Sequence, residues 1–102
     1  MKYEKLVRDK VPEHIRSKGE NPITHIAESM EYWQKLKDKL LEEAKEFNAD
    51  ESSEEFADLL EVIDAIAKYK GFKMDEIERI KEEKARNKGR FNDRIILDET
   101  KE

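Results

Sequence analysis

Hydrophobic residues recur along most of this chain at the three- and four-residue spacing that predicts amphipathic helices. The pattern predicts a long helix from about Glu28 to Asn48, a second from about Ser53 to Lys70 and a third from about Met74 to Lys88. Each of the last two is followed directly by a glycine, a common helix stop. The link ADESS between the first two helices is too short for anything but an antiparallel hairpin.

Shorter elements flank these helices. The segment VPEHIRSKG is typical of a short helix, with Pro12 in its first turn and Gly19 as its stop. ITHIA and RIIL have the β-branched character of brief strands, and each would need a partner for its backbone groups. We therefore expect an all-α fold in a single domain over residues 1–102. An antiparallel helical hairpin and a third helix would form a four-helix-bundle-like core on oligomerisation, with a small terminal β pairing between ITHIA and RIIL.

The second long helix is apolar over more than half of its circumference, which predicts that neighbours cover it on two sides. A domain of this size often relies on a partner chain to complete its core. We therefore expect a homodimer or a higher homo-oligomer whose interface buries part of this arc. The arc consists of Phe56, Leu59, Leu60, Val62, Ile63, Ala65, Ile66, Ala67 and Tyr69.

The amino-acid composition excludes several classes of function. Charged residues make up 46% of the chain, and 21 basic against 26 acidic residues give a net charge of -5, so there is no basic footprint for duplex nucleic acid. The absence of cysteine excludes a disulfide framework and a thiolate metal site. No apolar run approaches the roughly 18 residues of a membrane span, and the opening MKYEKLVRDK lacks the apolar core of a signal peptide. We expect a cytoplasmic protein without a membrane partner.

Four acidic residues fall on or beside the packing faces of the hairpin. At about 100° per residue, Glu43 lies about 20° outside the apolar stripe of the first long helix, and Glu46 flanks the stripe one turn on. Glu55 and Asp58 fall inside the apolar arc of the second helix. The hairpin brings these two i,i+3 pairs level with each other. Carboxylates gathered there repel one another, and each costs several kcal/mol if uncompensated, so the pattern predicts a cation.

A divalent metal is one such cation. All-carboxylate ligation favours hard ions, with Mg²⁺ the commonest choice and Mn²⁺ a substitute. Zinc and iron are disfavoured because neither His14 nor His25 lies in the cluster. The expected metal ligands are Glu43, Glu46, Glu55 and Asp58.

The third helix adds a second kind of charge. Its apolar stripe starts at Ile77 and Ile80 and continues in lysines. Lysines beside an acid-bound metal are typical of a polyphosphate site. An equal alternative is that the lysine stems simply lie over apolar surface. For RDK, from Arg8 to Lys10, a surface turn is the favoured explanation. The candidate phosphate-binding residues are Arg8, Lys10, Lys84, Asn87, Lys88 and Arg90.

These residues also carry a family resemblance. EEAKE, from Glu42 to Glu46, followed by EFAD, from Glu55 to Asp58, resembles the E-E-x-x-E … E-x-x-D signature of the all-α nucleoside triphosphate pyrophosphohydrolases. That superfamily includes MazG and the phosphoribosyl-ATP pyrophosphohydrolases. KYEKLVRDKVPEHI resembles the opening of one branch, and KARNKGRF resembles the lysine-containing segment after its third helix.

The resemblance implies a magnesium enzyme that cuts a nucleoside triphosphate between its α- and β-phosphates, releasing a monophosphate and pyrophosphate. By position, it implies that the four acids hold metal, that Lys84, Asn87 and Arg90 contact phosphate, and that Arg8 and Lys10 are further candidates. We expect Lys84 to act in catalysis, with either Glu42 or Glu43 orienting the attacking water. Only eight residues separate Glu46 from Glu55, so a base-binding wall built by a longer hairpin is missing.

Two alternatives stay open. One is a phosphoribosyl-ATP pyrophosphohydrolase of histidine synthesis, with the same bond chemistry on a modified nucleotide. The other is a non-catalytic helical module whose acids and lysines pair across a subunit interface. Measurable binding of Mg²⁺ or Mn²⁺ separates the enzymes from the module.

Overall fold

The computed structural model describes residues 3–102, and its regular structure is all-helical, as predicted. The four helices are α1 (Val11–Ser17), α2 (Ser29–Ala49), α3 (Ser53–Lys70) and α4 (Met74–Lys88). The chain divides into two compact units: the first contains α1 to α3, and the second is Phe72–Glu102. The single domain over residues 1–102 stays a prediction. No helix in the described part is long and apolar enough to cross a membrane.

The first unit is built on the predicted antiparallel hairpin of α2 and α3. Near the turn, the rings of Phe47 and Phe56 meet edge to face with centroids 5.6 Å apart. At the far end, the rings of Trp33 and Tyr69 stack with centroids 5.1 Å apart and planes 2° from parallel. Because the end of α2 pairs with the start of α3 and the start of α2 with the end of α3, the two helices run in opposite directions along each other.

The most buried residues of the first unit lie on the two helices of this hairpin. Leu36 on α2 is 1% exposed, and Val62 and Ala67 on α3 are 8% and 9% exposed. Three large apolar side chains of α3 nevertheless stay partly exposed: Phe56, Leu60 and Ile63 are 48%, 45% and 40% exposed. These three residues, here called the open α3 face, recur every three or four positions and so form one stripe.

The N-terminal segment, residues 3–10, is tied to α2. The ammonium of Lys35 donates a hydrogen bond to the backbone carbonyl of Glu4 at 2.6 Å. The ammonium of Lys5 lies 3.4 Å from the carboxylate of Glu42. α1 then follows with a proline in its first turn, as the sequence predicts. These contacts hold the segment beside the hairpin.

The terminal β pairing is not confirmed, because none of residues 3–102 lies in a strand. ITHIA lies in the irregular stretch before α2, where Ile23 and Ile26 are 100% and 96% exposed. RIIL is irregular as well, and its Ile95 and Ile96 are 82% and 78% exposed. A brief alternating run becomes a strand only when another strand accepts its backbone groups, and alternation over four or five residues does not specify that partner.

The second unit is organised by α4. Ile77 is half-buried and Lys84 is exposed, so the stripe of the sequence pattern passes from apolar to charged surface along the helix. Gly89, with a φ of 82°, ends α4. After it, Arg90 turns back and donates to both carboxylate oxygens of Glu82, at 2.9 and 3.0 Å.

Candidate metal site

Three of the four predicted metal ligands come together in the first unit. Glu43 on α2 and Glu55 and Asp58 on α3 each offer a carboxylate oxygen, and these oxygens all lie within 4.8 Å of one another. Ligands on opposite sides of an Mg²⁺ ion are about 4.2 Å apart, twice the metal–oxygen bond of about 2.1 Å. Small side-chain movements would therefore let all three reach one ion. We call these three residues the acidic trio.

Local structure explains why these carboxylates converge. The hydroxyl of Ser52 accepts a hydrogen bond from the backbone N–H of Glu55 at 3.2 Å, which caps α3 and fixes its first turn. Asp58 follows three residues later and so lies on the same face as Glu55. The antiparallel hairpin brings Glu43, near the end of α2, level with this first turn.

Glu55 has the most perturbed environment of the trio. Its pKa is raised above the ordinary value of 4.5, first by desolvation and then by the negative charges of Asp58, Glu46, Glu43 and Asp50. Within residues 3–102, no Lys, Arg or His nitrogen lies within 4.0 Å of the Glu55 carboxylate. Glu55 is therefore the member of the trio without a counterion among these residues.

The other two members of the trio have counterions from the chain itself. The guanidinium of Arg8 donates to Oδ1 of Asp58 at 2.9 Å, across 50 positions of sequence. The ammonium of Lys39 lies 3.7 Å from the carboxylate of Glu43. Lys39 is not among the site residues predicted from the sequence, although its position four residues before Glu43 was the available signal. RDK forms the exposed turn that the sequence favours, closed by the N–H of Val11 bonding to the carbonyl of Arg8 at 3.0 Å, and the Arg8 side chain also reaches Asp58.

Glu46 and Glu42 lie outside the trio. Glu46 is exposed, and it adds its negative charge to the field at Glu55 without offering an oxygen to the group. The carboxylate of Glu42 is 3.4 Å from the ammonium groups of both Lys5 and Lys39. Glu42 is thus adjacent to the trio through their shared neighbour Lys39.

A groove of about 440 Å³ runs beside the trio, between the N-terminal segment, α2 and α3. Its wall is charged on one part and apolar on another, a combination that suits a phosphorylated organic molecule. The charged part includes Arg8, Asp9, Lys10, Lys39, Glu43, Asp58 and Glu61. The apolar part consists of Leu6, Val7, Tyr32, Leu36, Val62 and Ala65.

The remaining predicted phosphate ligands belong to the second unit. Lys84, Asn87 and Lys88 are exposed on α4. Lys88 and Arg90 line a hollow together with Phe91 and Asp93. Arg90 is engaged by Glu82 as described above.

Comparison with known proteins gives one partial match. No protein-family model matches the chain, and no solved structure matches it. A curated protein of Mycolicibacterium smegmatis, named only as an uncharacterized protein, is 46% identical to this chain over 44 residues. The aligned part covers 43% of this chain and 45% of the length of that protein. Its name carries no activity, so the functional argument depends on the site.

Proposed function

We propose that this protein is a Mg²⁺-dependent nucleoside triphosphate pyrophosphohydrolase, which cleaves the bond between the α- and β-phosphates. The observation that carries the proposal is the acidic trio, with its oxygens within 4.8 Å and Glu55 lacking a counterion among residues 3–102. The resemblance of EEAKE and EFAD to the pyrophosphohydrolase signature supports the same conclusion.

The donor set fits magnesium. Three carboxylates offer only oxygen, the ligand atom that Mg²⁺ prefers, and leave other positions for water and phosphate oxygens. When bound there, Mg²⁺ would neutralise phosphate charge and acidify a water molecule. Mn²⁺ would serve as a substitute because it prefers similar ligands.

The chain's own residues would do the remaining work. Glu43, Glu55 and Asp58 would hold the metal, with Glu46 close enough to raise the negative field around them. Either Glu43 or Glu42, which lies outside the trio and pairs with Lys5 and Lys39, would orient the attacking water and accept its proton. Arg8 and Lys10 line the groove and would bind phosphate there. As the resemblance implies, Lys84 would stabilise the departing pyrophosphate, with Asn87 and Arg90 as further phosphate contacts. Lys88, on the same lysine stripe of α4, is a further candidate.

The reaction balances without any further reagent. Water attacks the α-phosphorus, a new phosphorus–oxygen bond forms and the bond to the bridging oxygen breaks. Pyrophosphate leaves with the bridging oxygen and the monophosphate keeps the oxygen from water. Positioning and charge neutralisation supply most of the catalysis in such a transfer.

A panel of canonical and modified nucleoside triphosphates, incubated with Mg²⁺ and assayed for pyrophosphate, tests the proposal. Phosphoribosyl-ATP belongs in the panel because a preference for it would assign the histidine-synthesis activity instead. We expect pyrophosphate and a nucleoside monophosphate in equal amounts. Release of single phosphate, or no turnover of any substrate, would contradict the proposal.

A second candidate function is a non-catalytic helical module. The ion pairs Arg8–Asp58 and Lys39–Glu43 favour it, because they already neutralise part of the cluster without metal. Binding of Mn²⁺ by the purified protein separates the two candidates, since the module needs no metal.

We propose in addition that the protein assembles as a homodimer or a higher homo-oligomer through the open α3 face. Three large apolar side chains exposed in one stripe, Phe56, Leu60 and Ile63, support this assembly. A second copy would complete the four-helix-bundle-like core that the wide apolar arc of α3 predicts.

A further inference from the structure

Two cations of the chain already interact with the acidic trio, and they differ in how firmly they are held. Arg8 donates to Asp58 at 2.9 Å from the irregular N-terminal segment, and its side chain is 59% exposed. Lys39 extends from the middle of α2, its side chain is 20% exposed, and it is shared between Glu42 and Glu43. Arg8 is therefore the counterion that can leave at lower cost.

We propose that Arg8 is a displaceable counterion of the metal site: it occupies Asp58 when metal is absent, and a divalent cation releases it. An oxygen that accepts a hydrogen bond from a guanidinium is a poorer metal ligand than a free one, so Arg8 lowers the affinity for metal. This inference rests on the metal-dependent function proposed above.

The backbone around Arg8 can stay in place during this exchange. The carbonyl of Arg8 accepts the N–H of Val11 at 3.0 Å, which anchors the residue to the start of α1. Only the exposed side chain has to rotate. Because Arg8 lines the groove, the released guanidinium stays beside the site, where its fork of N–H groups matches phosphate oxygens.

The proposal gives Arg8 two effects of opposite sign. Replacing Arg8 should tighten metal binding, because one competitor for Asp58 is removed. The same change should weaken phosphate binding in the presence of metal, because the released cation is lost. General damage to the fold would weaken both, so the opposite signs identify the exchange.

Calorimetric titration with Mn²⁺ at low ionic strength tests the first effect on the full chain. For Arg8→Ala and Arg8→Gln we expect the dissociation constant for Mn²⁺ to fall roughly two- to fivefold, the range for loss of one exposed ion pair. Lys5→Ala is the matched control. It removes one positive charge from the same segment, at 49% side-chain exposure, but Lys5 pairs with Glu42 outside the trio.

Unchanged or weaker Mn²⁺ binding by both Arg8 variants would overturn the proposal, and so would equal tightening by Lys5→Ala. If the unsubstituted protein binds no Mn²⁺, the proposed metal-dependent function fails together with this inference. If it binds Mn²⁺ and the Arg8 variants do not tighten, only this inference fails. Titration of the Mn²⁺-loaded protein with inorganic tripolyphosphate tests the second effect: the Arg8 variants should bind it more weakly than Lys5→Ala, and equal affinity would overturn the exchange.

Discussion

Replacing Glu55 with glutamine removes one negative charge from the acidic trio and keeps the size of the side chain. The pKa of Glu55 in the folded protein lies above its ordinary value of 4.5, because of desolvation and four neighbouring carboxylates. The folded protein therefore binds this proton more readily than the unfolded chain. The stability associated with this group is complete below pH 4.5 and is lost as the pH rises through the folded pKa.

At about pH 7.5 in EDTA, Glu55→Gln should therefore melt at a higher temperature than the unsubstituted protein. Below pH 4.5 the two proteins should melt alike, because Glu55 is then protonated in both states. Glu54→Gln is the matched control: it makes the same charge change in the same turn of α3, at an exposed position. The control should be neutral or slightly destabilising, since it removes a negative charge from the positive end of the helix.

Adding Mg²⁺ should stabilise the unsubstituted protein more than Glu55→Gln. At a free concentration of about one hundred times the dissociation constant, binding stabilises a folded protein by about 2.7 kcal/mol. For a domain of this size, that raises Tm by roughly 10–20 °C. If the loss of one of three ligands weakens binding about tenfold, Glu55→Gln gains only about 1.4 kcal/mol at the same concentration. Lower stability of Glu55→Gln than of the unsubstituted protein in EDTA, or an equal response of both to Mg²⁺, would refute this account.

Three further predictions concern Lys84, the hairpin core and the assembly. Lys84→Ala should lower kcat/KM at least tenfold, a loss of about 1.4 kcal/mol of transition-state stabilisation. The control Lys45→Ala, on the far side of α2, should leave kcat/KM unchanged. Equal, small effects of the two substitutions would remove Lys84 from the site. Leu36→Ala should lower the free energy of unfolding in urea by about 2–5 kcal/mol, because Leu36 is 1% exposed, and a loss below about 1 kcal/mol would mean that the hairpin core is not centred there. Light scattering at micromolar concentration should give the mass of a dimer or a larger assembly, and Leu60→Glu should dissociate it. We expect the interface to exceed the roughly 1,200–2,000 Å² of a standard complex. A monomeric mass for the unsubstituted protein would contradict the assembly.

The helices were predictable because their signals are local. The bounds of α3 and α4 agree with the prediction, and those of α2 differ by one residue at each end. The cap of Ser52 on Glu55 and the left-handed glycine at Gly71 follow from side-chain and backbone chemistry within one turn. The β pairing failed for the opposite reason: a strand depends on a distant partner, and nothing within ITHIA or RIIL specifies one.

Only the part of the candidate site that depends on angular positions around a helix could be predicted from the sequence. Angular positions identified the acids that converge, but they ranked Glu43 as less buried than Asp58. In the structure the side chain of Glu43 is 13% exposed and that of Asp58 is 44% exposed. Both side chains line the groove beside the N-terminal segment, so angular positions on α2 and α3 alone do not give their burial. The Arg8–Asp58 pair spans 50 positions, so helix periodicity could not predict it.

The distribution of counterions around the trio bears on how such a site can exist both with and without metal. If each of the three carboxylates had its own cation, an incoming metal would have to break three ion pairs. If none had one, repulsion and desolvation would weigh against the metal-free fold. Arg8 and Lys39 serve two carboxylates and, within residues 3–102, leave Glu55 without a cation within 4.0 Å. Three carboxylates and two cations give this group of five side chains a net negative charge, which would attract a divalent cation. In the exchange proposed above, a metal ion would displace the exposed Arg8, and the cluster would exchange one positive charge for two.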